Sequence, residues 1–157
     1  MAEKSESLSW KFYLVIVIAL GAFLGLVEAG LGGAIRNAGL PLRGPVVTGV
    51  GFAVMALGLA VFKQARIILG ITVAAVAAKW LAVPLLGLPV FCQANAHLAI
   101  LLNGACLFAA VRLFWKGSAG NWKLRGLGAG AAALTAGTAF FALGRVVAPC
   151  RHLLSFY

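Results

Sequence analysis

Glu28 is the only acidic side chain beyond the sixth residue of this 157-residue chain, and it lies inside a long apolar run. At about 100° per residue, Gly21, Gly25, Glu28, Gly32 and Arg36 fall on one helical stripe, so a carboxylate and a guanidinium share a seam of small residues. A carboxylate against lipid is costly and should face protein or water, and the glycines beside it let another helix or a ligand come close. Lys79 is the other ionisable group expected at membrane depth. Two readings follow, and they are compatible. Glu28 pairs with Lys79, with Arg36 as the competing partner. Alternatively, Glu28, Arg36, Lys79, Asn95 and Asn103 line a hydrated cavity suited to a small polar or zwitterionic solute.

A second polar stripe follows the i, i+3, i+4 pattern through Cys92, Asn95, Ala99, Asn103 and Cys106. An amide inside an apolar helix needs a partner, so Asn103 either holds the bundle together or contacts a ligand. Thr135, Thr138, Ala142 and Arg145 form a milder stripe, and threonine hydroxyls can bond back to their own helix. Cys92, His97, Cys150 and His152 are expected on one surface. They allow a disulfide between Cys92 and Cys150, two unpaired thiols with surface histidines, or a metal or haem site, although Cys-x4-His and Cys-x-His are not known metal-ligand spacings. The absence of C-x-x-C counts against a quinone-linked thiol oxidoreductase. No nucleophile-plus-base set, phosphate-binding loop or HExxH is present, and two histidines near one surface cannot build a two-sided bis-histidine haem ladder. The expectation is a protein that is not an enzyme, with no catalytic residue, cofactor or assigned metal site.

The elements that position these residues follow from composition. Apolar side chains make up 63% of the chain, charged ones 10%, and the mean hydropathy is +1.05. These values describe an all-α polytopic membrane protein, a single domain over 1–157 with about five transmembrane helices. The net charge of +10 would suggest nucleic acid in a soluble protein, but here the basic residues flank apolar segments, so no nucleic-acid partner is expected. Helices are expected over roughly 12–34, 45–62, 67–83, 96–115 and 124–147. Ser9 is a candidate cap for the first, with Trp10, Lys11 and Tyr13 as an interfacial anchor. The first apolar stretch is too long for a typical signal core and reads as a retained helix. Pro84 and Pro89 suggest that the third helix loosens after Val83 and that Pro84 to Phe91 forms a short sixth or re-entrant piece.

Counting Lys and Arg places Lys4, Lys11, Lys63, Arg66, Arg112, Lys116, Lys123 and Arg125 on one side and Arg36, Arg43, Arg145 and Arg151 on the other. The positive-inside rule then puts the N-terminus in the cytoplasm and the C-terminus outside, in a cell inner membrane. Gly-x-x-x-Gly occurs at Gly21/Gly25 and again at Gly126/Gly130, which permits close helix contact within the fold or with a partner.

With the helices so placed, the chain resembles the substrate-binding (S) components of energy-coupling factor vitamin transporters. The features that carry the resemblance are the short N-terminal tail, the closely spaced small residues Ala19, Gly21, Ala22 and Gly25 of the first helix, the Gly/Pro-rich loop from Arg36 to Pro45, and compact Ala/Gly-rich helices. It covers the whole chain loosely and rests on no diagnostic motif. It implies a binding or transport component for a small molecule, with Ala19 and Ala22 docking on a membrane coupling subunit and Arg36, Asn95 and Asn103 on the ligand side. The family usually has six helices where this chain has five, and its ligand motifs are absent, so no substrate is inherited. Two other readings stand beside it. One is a non-catalytic subunit of a larger complex or homo-oligomer, suggested by the dense Gly/Ala surfaces. The other is a redox or metal-handling membrane protein using the Cys and His residues.

Overall fold

The computed structural model describes residues 2–37, 43–85, 90–114 and 122–147, with side chains placed over 10–31, 46–81, 94–114 and 123–143. These residues form five helices and no strand: α1 (Ala2–Asn37), α2 (Arg43–Phe62), α3 (Arg66–Leu85), α4 (Val90–Phe114) and α5 (Trp122–Val147). Three of them hold apolar runs long enough to cross a membrane: Trp10–Leu31, Ala94–Phe114 and Lys123–Leu143. The apolar run of α2, Val46–Phe62, is shorter.

The helix limits differ from the sequence expectation most in three places; in addition α1 runs on to Asn37 and α2 starts at Arg43, so both ends of the stretch expected as a loop from Arg36 to Pro45 are helical. α1 begins at Ala2, so Ser9 lies within the helix and does not cap it. Alanine, glutamate and lysine are good helix formers, and nothing in AEKSES breaks the turn. α3 continues through Pro84 to Leu85. Proline removes the bond to the carbonyl four residues back, yet Pro84 is accommodated within the helix. α4 begins at Val90, ahead of the expected 96. The stretch expected as a re-entrant piece therefore contributes its ends to α3 and α4, and 86–89 lie outside the described residues.

α3 is the central element, packed against α1, α2 and α4, and α5 joins through α4. Its residues Ile67, Ile68 and Ile71, with Met55 of α2, are the largest fully buried side chains. Contacts in register show that α1 and α3 run parallel. Val17 lies against Gly70, Gly21 against Ala74, Gly25 against Ala78, and Glu28 meets Lys79. α2 is antiparallel to both, with Gly58 beside Leu20 and Ile71, and Gly51 beside Leu24. α4 is antiparallel to α3, pairing Gly104 with Thr72 and His97 with Trp80. Phe114 at the end of α4 lies against Gly128 of α5.

The α2–α3 connection is three residues long. Lys63 adopts φ 53°, in the left-handed region, and its N–H donates to the Leu59 carbonyl at 2.8 Å. This terminates α2 in the position that most often holds glycine. Lys63→Gly should raise stability by about 0.5–1 kcal/mol, read as a higher unfolding midpoint in detergent; an unchanged or lower midpoint would mean that the turn is not strained.

The surface is apolar as well as the core, and a few polar side chains are buried. Leu26, Val73, Leu81, Leu113, Leu127 and Leu134 are each 63–75% exposed. Thr72, Lys79, Asn95 and His97 are buried. One end gathers Trp10, Tyr13 and Phe62, with Trp10 stacked on Tyr13 and Tyr13 edge-on to Phe62 at 5.2 Å. Lys11, Lys63, Arg66, Arg112 and Lys123 belong to the helix ends on that side.

Candidate functional site

Glu28 and Lys79 meet because α1 and α3 can touch along their backbones. A Cβ on Gly21 would overlap the Cβ of Ala74 and stand 2.9 Å from the Ile71 carbonyl oxygen. One on Gly25 would lie 2.8 Å from the Ala75 carbonyl oxygen. Glycine at both positions brings the axes together, and one turn further on the Glu28 carboxylate is 2.9 Å from Lys79 Nζ. The pair is almost dry, the side chains being 10% and 4% exposed. Of the two partners expected for Glu28, the structure places Lys79 against it, and the side chain of Arg36 lies outside the described residues. The pair sits about 27 Å along α1 from Trp10, toward the end of the bundle opposite the basic and aromatic one.

Glu28 also lines a cleft with Asn103 of α4. The remaining walls are Leu24, Val47, Gly51, Met55 and Ile100, so the two polar groups face an otherwise apolar pocket between α1, α2 and α4. Its free volume of about 10 Å³ matches one water molecule. Deeper in the bundle the Thr72 hydroxyl donates to the Ile68 carbonyl at 2.7 Å and lies 3.6 Å from Met55 Sδ. Thr135 and Thr138 of α5 likewise bond to carbonyls of their own helix, which accounts for that milder stripe locally.

The other expected site residues divide between the layer and the undescribed parts. Asn95 and His97 are buried in the early turns of α4, and the His97 ring stacks on Trp80 with centroids 5.2 Å apart. Trp80 follows Lys79, so this stack forms the α3–α4 side of the charged layer. The sequence suggests a metal or surface role for His97, and its burial against Trp80 corrects the surface reading; the adjacency of Trp80 to Lys79 on a helix antiparallel to α4 is the available signal. The side chains of Arg36 and Cys92 lie outside the described residues, as do Cys150 and His152, so the Cys92–Cys150 disulfide falls there too. Cys106 is a free, half-buried thiol. Among the described residues no group of three His, Cys, Asp or Glu side chains is placed to hold a metal ion.

Of the small residues expected to dock another helix, Gly21 and Gly25 are buried against the chain's own α3, Ala22 is half-buried and Ala19 is exposed. The second Gly-x-x-x-Gly behaves differently. A Cβ on Gly126 or Gly130 would meet nothing within 4 Å.

No protein-family model matches the chain, and no curated protein or solved structure is significantly similar to it.

Proposed function

We propose that the chain is a polytopic protein of the cell inner membrane that binds or transports a small polar solute through the layer of Glu28, Lys79, Asn95 and Asn103, in the manner of a transporter's substrate-binding component. The observation that carries the reading is the Glu28–Lys79 pair, desolvated yet bordering a cleft shared with Asn103. Ionisable groups inside apolar bundles are expensive and mark solute or ion pathways by default. The apolar surface, with leucines and valines exposed while Lys79, Asn95 and His97 are buried, supports a lipid environment. The gathering of Lys and Arg at one end supports a cytoplasmic N-terminus, with the charged layer toward the outside.

In equilibrium dialysis against a cellular small-molecule extract, the wild-type chain in mild detergent should enrich a low-mass solute. Asn103→Ala should cut that enrichment about tenfold, as expected for one buried hydrogen-bonding partner. Equal enrichment by wild type and variant would remove Asn103 from the site, and no enrichment by wild type would contradict the reading.

A second reading, a subunit of a larger membrane assembly, is favoured by α5 alone. This helix packs through α4, and Gly126, Gly130 and Gly137 have open space around them.

A further inference from the structure

At the end of the bundle opposite the charged layer, we infer that the corner formed by Lys11, Lys63 and Arg66 binds the headgroup of an anionic phospholipid, whose acyl chains run down the apolar faces beneath it. The inference rests on the membrane reading and is independent of what the Glu28 cleft binds.

Aromatic contacts build the corner. Tyr13 of α1 meets Phe62 of α2 edge-on at 5.2 Å, Phe12 lies 6.3 Å from the same ring, and Trp10 stacks on Tyr13. They bring Lys11 to the side of the bundle where Lys63 leads, through a short turn, into Arg66 at the start of α3. All three cations are exposed. Among the side chains described, the single carboxylate is Glu28, in the layer at the other end. The side chains of Glu3 and Glu6 lie outside the described residues. Even counted here, they are outnumbered by Lys11, Lys63, Arg66, Arg112 and Lys123, so this end stays positive and complements an anion. Lys63 also holds a φ of 53°, where glycine is more stable, so the turn keeps a cation in spite of backbone strain. The two helical cations each head an apolar face of their own helix. Val15 and Ile18 follow Lys11 at i+4 and i+7 and are 62% and 58% exposed; Leu69 and Val73 follow Arg66 at i+3 and i+7 and are 39% and 64% exposed. An inorganic anion would use the cations alone. A phospholipid uses both features, with its phosphate on the guanidinium and ammonium groups, its chains along the apolar faces, and Trp10 and Tyr13 at headgroup level.

The test is the unfolding midpoint of the full chain in mild detergent, titrated with phosphatidylglycerol, phosphatidylcholine or inorganic phosphate. Phosphatidylglycerol should raise the midpoint in a saturable way, and neither of the others should match it. For the same rise, Lys11→Gln should need about fivefold more phosphatidylglycerol and Lys63→Gly/Arg66→Gln about tenfold more or worse, because cations at the headgroup are lost. The midpoint of each variant without lipid shows that it folds. Lys123→Gln, at the same end but on α5, should respond like the wild type. Equal responses to the two lipids would overturn the inference, as would corner variants that respond like the wild type. A phosphate response equal to that of phosphatidylglycerol would reduce the corner to an anion site, and a loss in Lys123→Gln as large as in the corner variants would reduce it to diffuse charge; either overturns the lipid site. Flotation with vesicles of phosphatidylcholine and phosphatidylglycerol in equal parts, followed by an alkaline wash, separates the two readings. A chain stripped from the vesicles removes the membrane reading and the lipid site together. A chain that stays, with a midpoint indifferent to phosphatidylglycerol, removes the lipid site alone.

Discussion

Lys79→Met should lower the stability of the chain by about 3–5 kcal/mol, and adding Glu28→Gln to it should restore most of the loss. The reason is the asymmetry of a buried pair. Lys79 and Glu28 are 2.9 Å apart and nearly dry, so removing the ammonium leaves a largely buried carboxylate between α1 and α3 without that cation. Removing both charges deletes that penalty along with the attraction. Reversible unfolding of the wild type, the two single variants and the double variant forms a cycle that isolates the coupling, because the residues are in direct contact. A coupling of several kcal/mol is expected. A cycle that closes to within about 0.5 kcal/mol would mean that the two side chains do not depend on one another, and the charged layer would lose its basis.

Gly25→Ala and Gly21→Ala should each destabilise by about 3 kcal/mol, at the upper end of what overpacking causes. The atoms that an added Cβ meets decide this. At Gly25 they are the Ala75 carbonyl oxygen at 2.8 Å and the Lys79 amide nitrogen at 3.4 Å; at Gly21 they are the Ile71 carbonyl oxygen and the Ala74 Cβ. Neither backbone nor Cβ atoms can rotate away, so α1 must retreat from α3 and carry Glu28 away from Lys79. The same change at Gly126 or Gly130 enters open space and should be neutral or stabilising by up to about 1 kcal/mol, since glycine is a poor helix former. Unfolding midpoints of the four alanine variants check both halves. If the α5 variants lose as much as the α1 variants, an assembly face on α5 is the explanation, and the subunit reading gains. If the α1 variants lose nothing, the close α1–α3 approach is absent.

That contrast shows where sequence reading stops. Gly21/Gly25 and Gly126/Gly130 are the same motif, and spacing alone cannot tell which is filled. The difference lies in which helix arrives opposite, a fact about contacts some fifty residues apart in the chain. The helix count was legible because each apolar run is bounded by basic or Gly/Pro-containing turns. Glu28 and Lys79 stood out because charge is scarce in such runs, and Lys79 was legible as one of two partners. The parallel register of α1 and α3 brings it to Glu28. The apolar walls of the cleft were not legible, since Leu24, Val47, Met55 and Ile100 look like any other core residues until three helices converge. The Trp80–His97 stack was hidden for a similar reason, as histidine beside cysteine invites a metal reading and its partner is on another helix. The helical N-terminal segment was missed because Ser9 and Trp10 resemble a boundary, while local propensity carries the helix through them.

Gly21 and Gly25 set the distance across which the Glu28 carboxylate and the Lys79 ammonium meet. Asn103 borders the cleft with Glu28, whereas the Thr72 hydroxyl is engaged by the Ile68 carbonyl of its own helix.

The most direct measurement is native mass spectrometry of the gently solubilised wild-type chain beside Glu28→Gln/Lys79→Gln, both prepared from the same cells and without reductant. The account predicts a defined low-mass organic adduct on the wild type that is absent from the neutralised variant, with both chains folded. A wild-type chain that carries no adduct, or a variant that carries the same one, would contradict it and leave Glu28 and Lys79 as a pair that only joins two helices.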